Sequence, residues 1–290
     1  MKTLVFGSLN IDHVYQMDHF VQPGETTASH HYEKHAGGKG LNQAIALAKA
    51  GQETLFAGCI GQDGLFLRDL LASHGVGTDA VLVGNIPTGH AIIQVDASGQ
   101  NSIILYGGAN QCQTEEGVLA AIGALQAGDL ILLQNEINLC PFIIREAAAR
   151  GIAVALNPSP LSGDLPSWPL DRLSWLILNE IEGAGLTGKT EPQAILDGLL
   201  SRYPSCRIVL TLGEQGAYYA DAEQRLFQAA IQTEAVDTTA AGDTFTGYFL
   251  HSILSGETVA QALERAARAS SITVSRPGAA ESIPYGCEII

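Results

Sequence analysis

Short apolar runs and amphipathic stretches alternate along most of the chain, so strand-like and helix-like periods follow one another in turn. "TLVFGSLN" near the start predicts a buried strand ending in a Gly-Ser-Asn turn. "GLNQAIALAKAG" places Leu41, Ala44, Ile45 and Ala48 on one helical face, with Gly51 as the stop. "ETLFAGCIG" predicts a strand and "DGLFLRDLLASHG" a helix. After Gln113 the alternation becomes regular: helix "TEEGVLAAIGAL", strand "DLILLQNE", helix "CPFIIREAAARG", strand "IAVALNPSP". A loop, strand "SWLILNEIE", helix "EPQAILDGLLSRY" and strand "RIVLTLGEQG" continue it. A hairpin-like stretch, "AYYADAEQRLFQA", precedes a helix within "VDTTAAGDTFTGYFLHSIL", and a further helix starts near Thr258. Near-continuous apolar strands separated by helices imply an α/β protein with a mostly parallel sheet covered by helices.

Two segments depart from this alternation. Residues 11–35 are irregular, with β-like alternation and the turn "QPGET". Residues 88–107 carry two β-rich runs flanking "DASGQ", which predicts a hairpin. Neither segment contains a helical period between its β-like runs, so their strands are free to pair with each other outside the main sheet.

Composition narrows the function. Of 290 residues, 46% are hydrophobic and 16% charged, as in a globular chain able to bury a large core. The formal net charge of −15 argues against nucleic acid and anionic membrane as partners. A phosphorylated ligand would have to be held by backbone amides, a few cations or a metal. The five cysteines are widely spaced and form no C-x-x-C, which points to free thiols in a reducing compartment. The N-terminal apolar run is too short for a signal peptide, and no run reaches the roughly 18 residues a spanning helix needs, so the expected location is the cytoplasm.

The polar residues fall at telling places. Asn10, Glu136, Asn157, Asn179 and Thr211 each end a predicted strand, and Asp243 begins the helix after the last crossover. Open parallel sheets bind ligands at their carboxyl edge, so all six can converge on one site. "AGGKGLNQA", residues 36–44, is a glycine-rich loop opening a helix, yet neither a P-loop nor G-x-G-x-x-G. In "SLNID", Asn10 and Asp12 share one face of a strand and suit the paired hydroxyls of a sugar, or else form a capped turn. Glu182 in "NEIE" suits either a hydrated Mg²⁺ or a helix N-terminus. "TLGEQG", Thr211 to Gly216, can offer N–H groups to a nucleotide. In "VDTTAAGDTF", Asp243 follows Ala240, Ala241 and Gly242, so one carboxylate can be both helix cap and base beside bare amides. His30, His31 and His35 cluster without metal-ligand spacing and read as surface or lid residues.

Taken together, "SLNID", "GGKGLNQA", "LNPSP", "LNEIE", "TLGEQG", "DTTAAGDTF" and "SRPGAAESIP" resemble the ribokinase branch of the PfkB sugar-kinase family, in order from Leu4 to Pro284. The resemblance implies one kinase domain over residues 1–290, a three-layer sandwich with a mostly parallel central sheet. Segments 11–35 and 88–107 would form a small β lid. Asp243 would be the base, with the amides of Ala240, Ala241, Gly242 and Asp243 as anion hole. Asn10, Asp12, Gly38, Lys39, Gly40, Asn42 and Glu136 match sugar contacts. Asn179, Thr211, Leu212, Gly213, Glu214, Gln215, Gly216 and Gly242 match nucleotide contacts. Asp237, Thr239, Thr273, Arg276, Gly278 and Ser282 match a monovalent-cation site, and Glu182 the acid that orders magnesium-bound water.

The implied activity is ATP-dependent phosphorylation of the 5-hydroxyl of D-ribose, with Mg²⁺ required and K⁺ activating. Alternatives are a kinase for another pentose, ketose or nucleoside, deoxyribose among them, and a sugar-binding sensor without catalysis. A homodimer through the lid is expected. Three departures bear on these expectations. Ala267 stands where many members carry His or Asn near the adenine. Leu41 replaces a smaller residue beside Asn42, and would alter specificity if it faced the sugar. The chain ends soon after "SIPYGCEII", where typical members carry a final helix.

Overall fold

The computed structural model describes residues 1–289. Its main sheet begins with β1 (Thr3–Phe6), continues through β4 (Thr54–Gly61) and β5 (Gly77–Gly84), and then takes β8 (Leu130–Gln134), β9 (Ala153–Asn157), β10 (Trp175–Asn179) and β11 (Arg207–Thr211). The antiparallel hairpin β12 (Gly216–Ala220) and β13 (Arg225–Ala229) closes one edge. The nine strands lie in the order β13-β12-β11-β10-β9-β8-β1-β4-β5, parallel from β11 to β5.

Strand periodicity sorts the core into two layers. In β1, Val5 joins one cluster while Leu4 and Phe6 join the other; in β10, Trp175 and Ile177 oppose Leu176 and Leu178. The first cluster is covered by α1 (Lys39–Ala50), α2 (Leu65–Ser73), α7 (Ala241–Leu254) and α8 (Val259–Val274). The second is covered by α3 (Glu115–Ile122), α4 (Cys140–Ala149), α5 (Glu180–Thr187) and α6 (Pro192–Arg202). This is the expected sandwich. Leu41 is fully buried in the first cluster, so it packs in the core and does not face a ligand.

The two irregular segments form a separate four-stranded sheet, as the pattern suggested. It orders β3 (His31–Gly37), β2 (Asn10–Gln16), β6 (Gly89–Val95) and β7 (Asn101–Tyr106). β2 pairs antiparallel with β3 and parallel with β6, while β6 and β7 form the hairpin. Asp96 Oδ1 accepts from the N–H groups of Ser98 and Gln100 and so fixes its turn. β2 starts at Asn10, after three residues that follow the end of β1 at Phe6, so Asn10 opens a strand of the small sheet and does not end one of the main sheet. His31 and His35 lie on exposed β3, each paired with Glu33.

Connections leave β1 toward β4 on one side and return through β8 on the other, which makes β1/β8 the switch point of the sheet. The carboxyl ends of these two strands are where a ligand crevice forms. No helix among the described residues is long and apolar enough to cross a membrane.

Candidate active site

The N-terminal turn of α7 is the centre of the site. Ala240 is its N-cap at φ 60°, a left-handed conformation that costs an alanine about 1–2 kcal/mol. The first helical bond runs from Thr244 N–H to the Ala240 carbonyl, which leaves the N–H groups of Gly242 and Asp243 without helical acceptors. A Cβ on Gly242 would meet nothing within 4 Å, so its bareness keeps space open and relieves no internal clash.

Asp243 is not the helix cap. It lies three residues beyond the N-cap, and its carboxylate accepts from side chains of α1: Asn42 Nδ2 to Oδ2 at 3.1 Å and Gln43 Nε2 to Oδ1 at 2.9 Å. The expectation of one residue serving as cap and base fails because the chain enters the helix through a left-handed Ala240, which has no side-chain acceptor.

At the switch point, Ser8 Oγ donates to Glu136 Oε2, and the Lys39 N–H reaches the same oxygen at 3.1 Å. Burial pushes the Glu136 carboxyl up, against the pull of Lys39 and Ser8. Burial would depress the Lys39 ammonium, but Asp243, Glu136 and Glu182 outweigh it and hold its pKa above the usual range. Asp12 is raised to about 6, by burial first and by Glu136 second, with His35 pulling the other way. Asn10 Oδ1 accepts from Asn110 Nδ2 at 2.7 Å. Gly38 takes φ 100°, and a Cβ on Gly40 would come within 2.5 Å of the Ser8 nitrogen. The glycines therefore let the loop lie directly on the β1–β2 connection, and Gly40 serves that packing.

A cleft of ≈ 630 Å³ lies on the other side of the α7 turn, lined by Asn179, Thr211, Gly213, Glu214, Gly216 and Ala267 among others. Leu212 is buried in the core and Gln215 lies off the cleft wall, so the structure does not gather those two. A Cβ on Gly216, at φ 123°, would strike the Gln228 carbonyl at 2.0 Å, which explains glycine there. A pocket of ≈ 240 Å³, holding Lys39, Glu182 and Asp243, shares Asn179, Thr211, Thr238, Ala241 and Gly242 with the cleft. The two spaces meet across the first turn of α7. Asn179 and Glu182 also form the capping box of α5: Asn179 Oδ1 accepts from Glu182 N–H at 2.9 Å, and Glu182 Oε2 from Asn179 N–H at 3.0 Å. The helix-terminus role foreseen for Glu182 is thus filled, inside a ligand-sized pocket.

Asp237 ties the loop before α7 to the loop after α8. Its Oδ1 accepts from Thr239 N–H and Oγ at 2.9 and 2.6 Å, and its Oδ2 from Gly278 N–H at 3.0 Å. Burial works against its charge, but these three donors outweigh it and hold the carboxyl below the usual range. The carbonyls of Thr239, Arg276, Gly278 and Ser282 take no part in the bonds tying the loops, and such oxygens suit a hard cation. Thr273 is fully buried and bonds Thr244 at 3.0 Å. From the last turn of α1, Lys49 Nζ donates to the carbonyls of Ala280 and Ile283 at 2.9 and 2.8 Å.

Sequence reading passed over Ser8, Gln43 and Gln134. Only the position of Gln43 next to Asn42, in a motif already singled out, pointed toward it.

The family model for "pfkB family carbohydrate kinase" matches residues 2–285. A protein named ribokinase from Staphylococcus aureus is 37% identical over 98% of this chain and 96% of its own length. One from Schizosaccharomyces pombe is 36% identical over 100% of this chain and 96% of its own. Among solved structures, Arabidopsis thaliana ribokinase complexed with ribose and ATP superposes with a TM-score of 0.90 at 32% identity, covering 99% of this chain and 97% of that one.

Proposed function

The chain belongs to the pfkB family of carbohydrate kinases, and from that premise we propose that it transfers the γ-phosphoryl group of ATP to the 5-hydroxyl of D-ribose. The observation that carries the reading is the placement of Asp243. It stands on the turn shared by a nucleotide-sized cleft and a smaller polar pocket, with its carboxylate aimed by α1. The similarity to ribokinases, one of them solved with ribose and ATP, supports ribose as acceptor.

In this reading Asn10, Asp12, Lys39, Asn42 and Glu136 hold the sugar hydroxyls, with Gly38 and Gly40 shaping the loop. Asp243 takes the 5-hydroxyl proton as that oxygen attacks the γ-phosphorus, and the bond to the β-phosphate oxygen breaks to release ADP. The free N–H groups of Gly242 and Asp243, together with Lys39, face the charge that develops on the transferring group. Asn179 and the turn Thr211–Gly216 border the nucleotide. Glu182 would approach Mg²⁺ through water, and the loops joined by Asp237 would hold K⁺ through carbonyl oxygens. Such ions, when bound, neutralise phosphate charge and order the anion hole. The whole chain acts as one catalytic domain in the cytoplasm, with segments 11–35 and 88–107 as a lid over the sugar. The lid leaves Ile92, Ile104 and Tyr106 exposed, which supports a homodimer through that face.

The test is ADP release with MgATP in K⁺ buffer, with D-ribose against a panel of pentoses, deoxyribose, hexoses and nucleosides. Preference for ribose is expected. Preference for another acceptor would reassign the substrate, and no turnover with any acceptor would overturn the reading.

A further inference from the structure

Behind the base lie two fully buried glutamines, one of which the mechanism above uses only as a donor from α1 and the other not at all. Gln134 ends β8, and Gln43 lies near the start of α1. Gln134 Nε2 donates to Gln43 Oε1 at 2.6 Å. Gln43 Nε2 donates onward to Asp243 Oδ1 at 2.9 Å and to Asn157 Oδ1 at 3.3 Å. Asn157 is itself fixed by donating to the Ile177 carbonyl at 2.9 Å.

The direction of this series is informative. Both glutamine NH₂ groups point toward the carboxylate. Turning the Gln43 amide over would set its carbonyl against Asp243 and its NH₂ against that of Gln134. The negative charge at the end therefore dictates both amide orientations. Donation into Gln43 Oε1 also polarises that amide and strengthens the bond it gives to Asp243. The arrangement has a cost: among the described residues, Gln134 Oε1 is buried with no hydrogen-bond partner.

Asn42 also donates to Asp243 but is held differently. Its Oδ1 accepts from no described residue, so its amide is held at one end, whereas that of Gln43 is bonded at both. We infer that Gln43 is a positioning residue for phosphoryl transfer, clamping one oxygen of Asp243 so that the other meets the acceptor hydroxyl, and that Gln134 acts through it. The inference rests on the reading of Asp243 as the base.

The experiment compares steady-state kinetics of wild type, Gln43→Met, Gln134→Met, the double variant and Asp243→Asn with ribose and MgATP. Gln43→Met is expected to lower kcat about 10–100-fold while both KM values stay within about twofold. Gln134→Met, which leaves Asp243 untouched, lowers kcat by a smaller factor. The double variant is no slower than Gln43→Met alone, because the second residue works only through the first. A purely structural role would instead lower Tm while folded enzyme keeps a normal kcat, and that result overturns the inference, as does a change confined to KM. If Gln43→Met fails to fold by circular dichroism, an unchanged kcat in Gln134→Met overturns it and a lowered kcat at unchanged KM supports it. Normal turnover in Asp243→Asn refutes the base reading itself, whereas its loss beside normal turnover in Gln43→Met refutes only this inference.

Discussion

The Asp12 carboxylate lies over the bare backbone of Gly37: a Cβ added there would come within 2.1 Å of Asp12 Oδ2. Glycine thus lets an acidic group fold into a half-enclosed corner facing Glu136, and that corner raises Asp12 to about 6. A carboxyl raised in the folded state destabilises the protein above that pKa, and the penalty disappears below the unfolded value of 3.8. Asp12→Asn is therefore expected to raise Tm by about 2–4 °C at pH 8, with the gain fading toward pH 4. The same change should raise the sugar KM about tenfold or more through a lost charged hydrogen bond. Differential scanning fluorimetry across pH, beside sugar kinetics, checks both. A Tm gain independent of pH would contradict the burial argument.

Asp243→Asn keeps the shape of the residue and removes the base. It is expected to lower kcat by at least about 10²-fold with sugar binding retained. Calorimetric titration of sugar and single-turnover kinetics separate the two. Near-normal turnover would rule out Asp243 as the proton acceptor.

Asp237→Ala unties the loops on either side of the α7–α8 pair. Half-activation by K⁺ is expected to require about tenfold more salt, reflecting lost charge-assisted bonds. A K⁺ titration at fixed ionic strength reads this directly. An unchanged K⁺ response would remove the cation role from these loops.

On the small sheet, Ile92 and Ile104 stand opposite each other across β6 and β7, both exposed. If that face joins two copies, Ile104→Glu should convert a dimer to a monomer in size-exclusion chromatography with light scattering. A monomeric wild type would exclude the interface.

Much of this architecture can be read without coordinates, and the exceptions have physical causes. Central strands such as β8 and β10 are buried on both faces, so their apolar runs stand out. β5 went unread because it lies at the sheet edge, where only Val81 is buried. Of α5 only the start was legible, as the helix N-terminus that Glu182 suits; the glycines of "NEIEGAGLTG" beyond it suggest a turn. Asn157, Asn179 and Thr211 at strand ends were legible because the carboxyl edge is a topological consequence, whereas Asn10 opens a strand of the small sheet instead. Gln43 and Gln134 were not legible, since a buried amide in an apolar run has no period of its own. The apolar face that Leu41 shares with Ala44 and Ile45 foretold its inward turn, but nothing in the pattern told that its neighbour Asn42 reaches the base.

Helix α1 begins at Lys39 beside Glu136, reaches Asp243 through Asn42 and Gln43, and carries Lys49 in its last turn, which grips the 280–283 loop. At about 1.5 Å per residue it is a strut of roughly 15 Å between the acceptor pocket and the loop proposed to hold the cation. A rod fastened at both ends transmits displacement, so the two ligands would be thermodynamically linked: whatever sugar does to cation affinity, cation must do to sugar affinity, by the same factor.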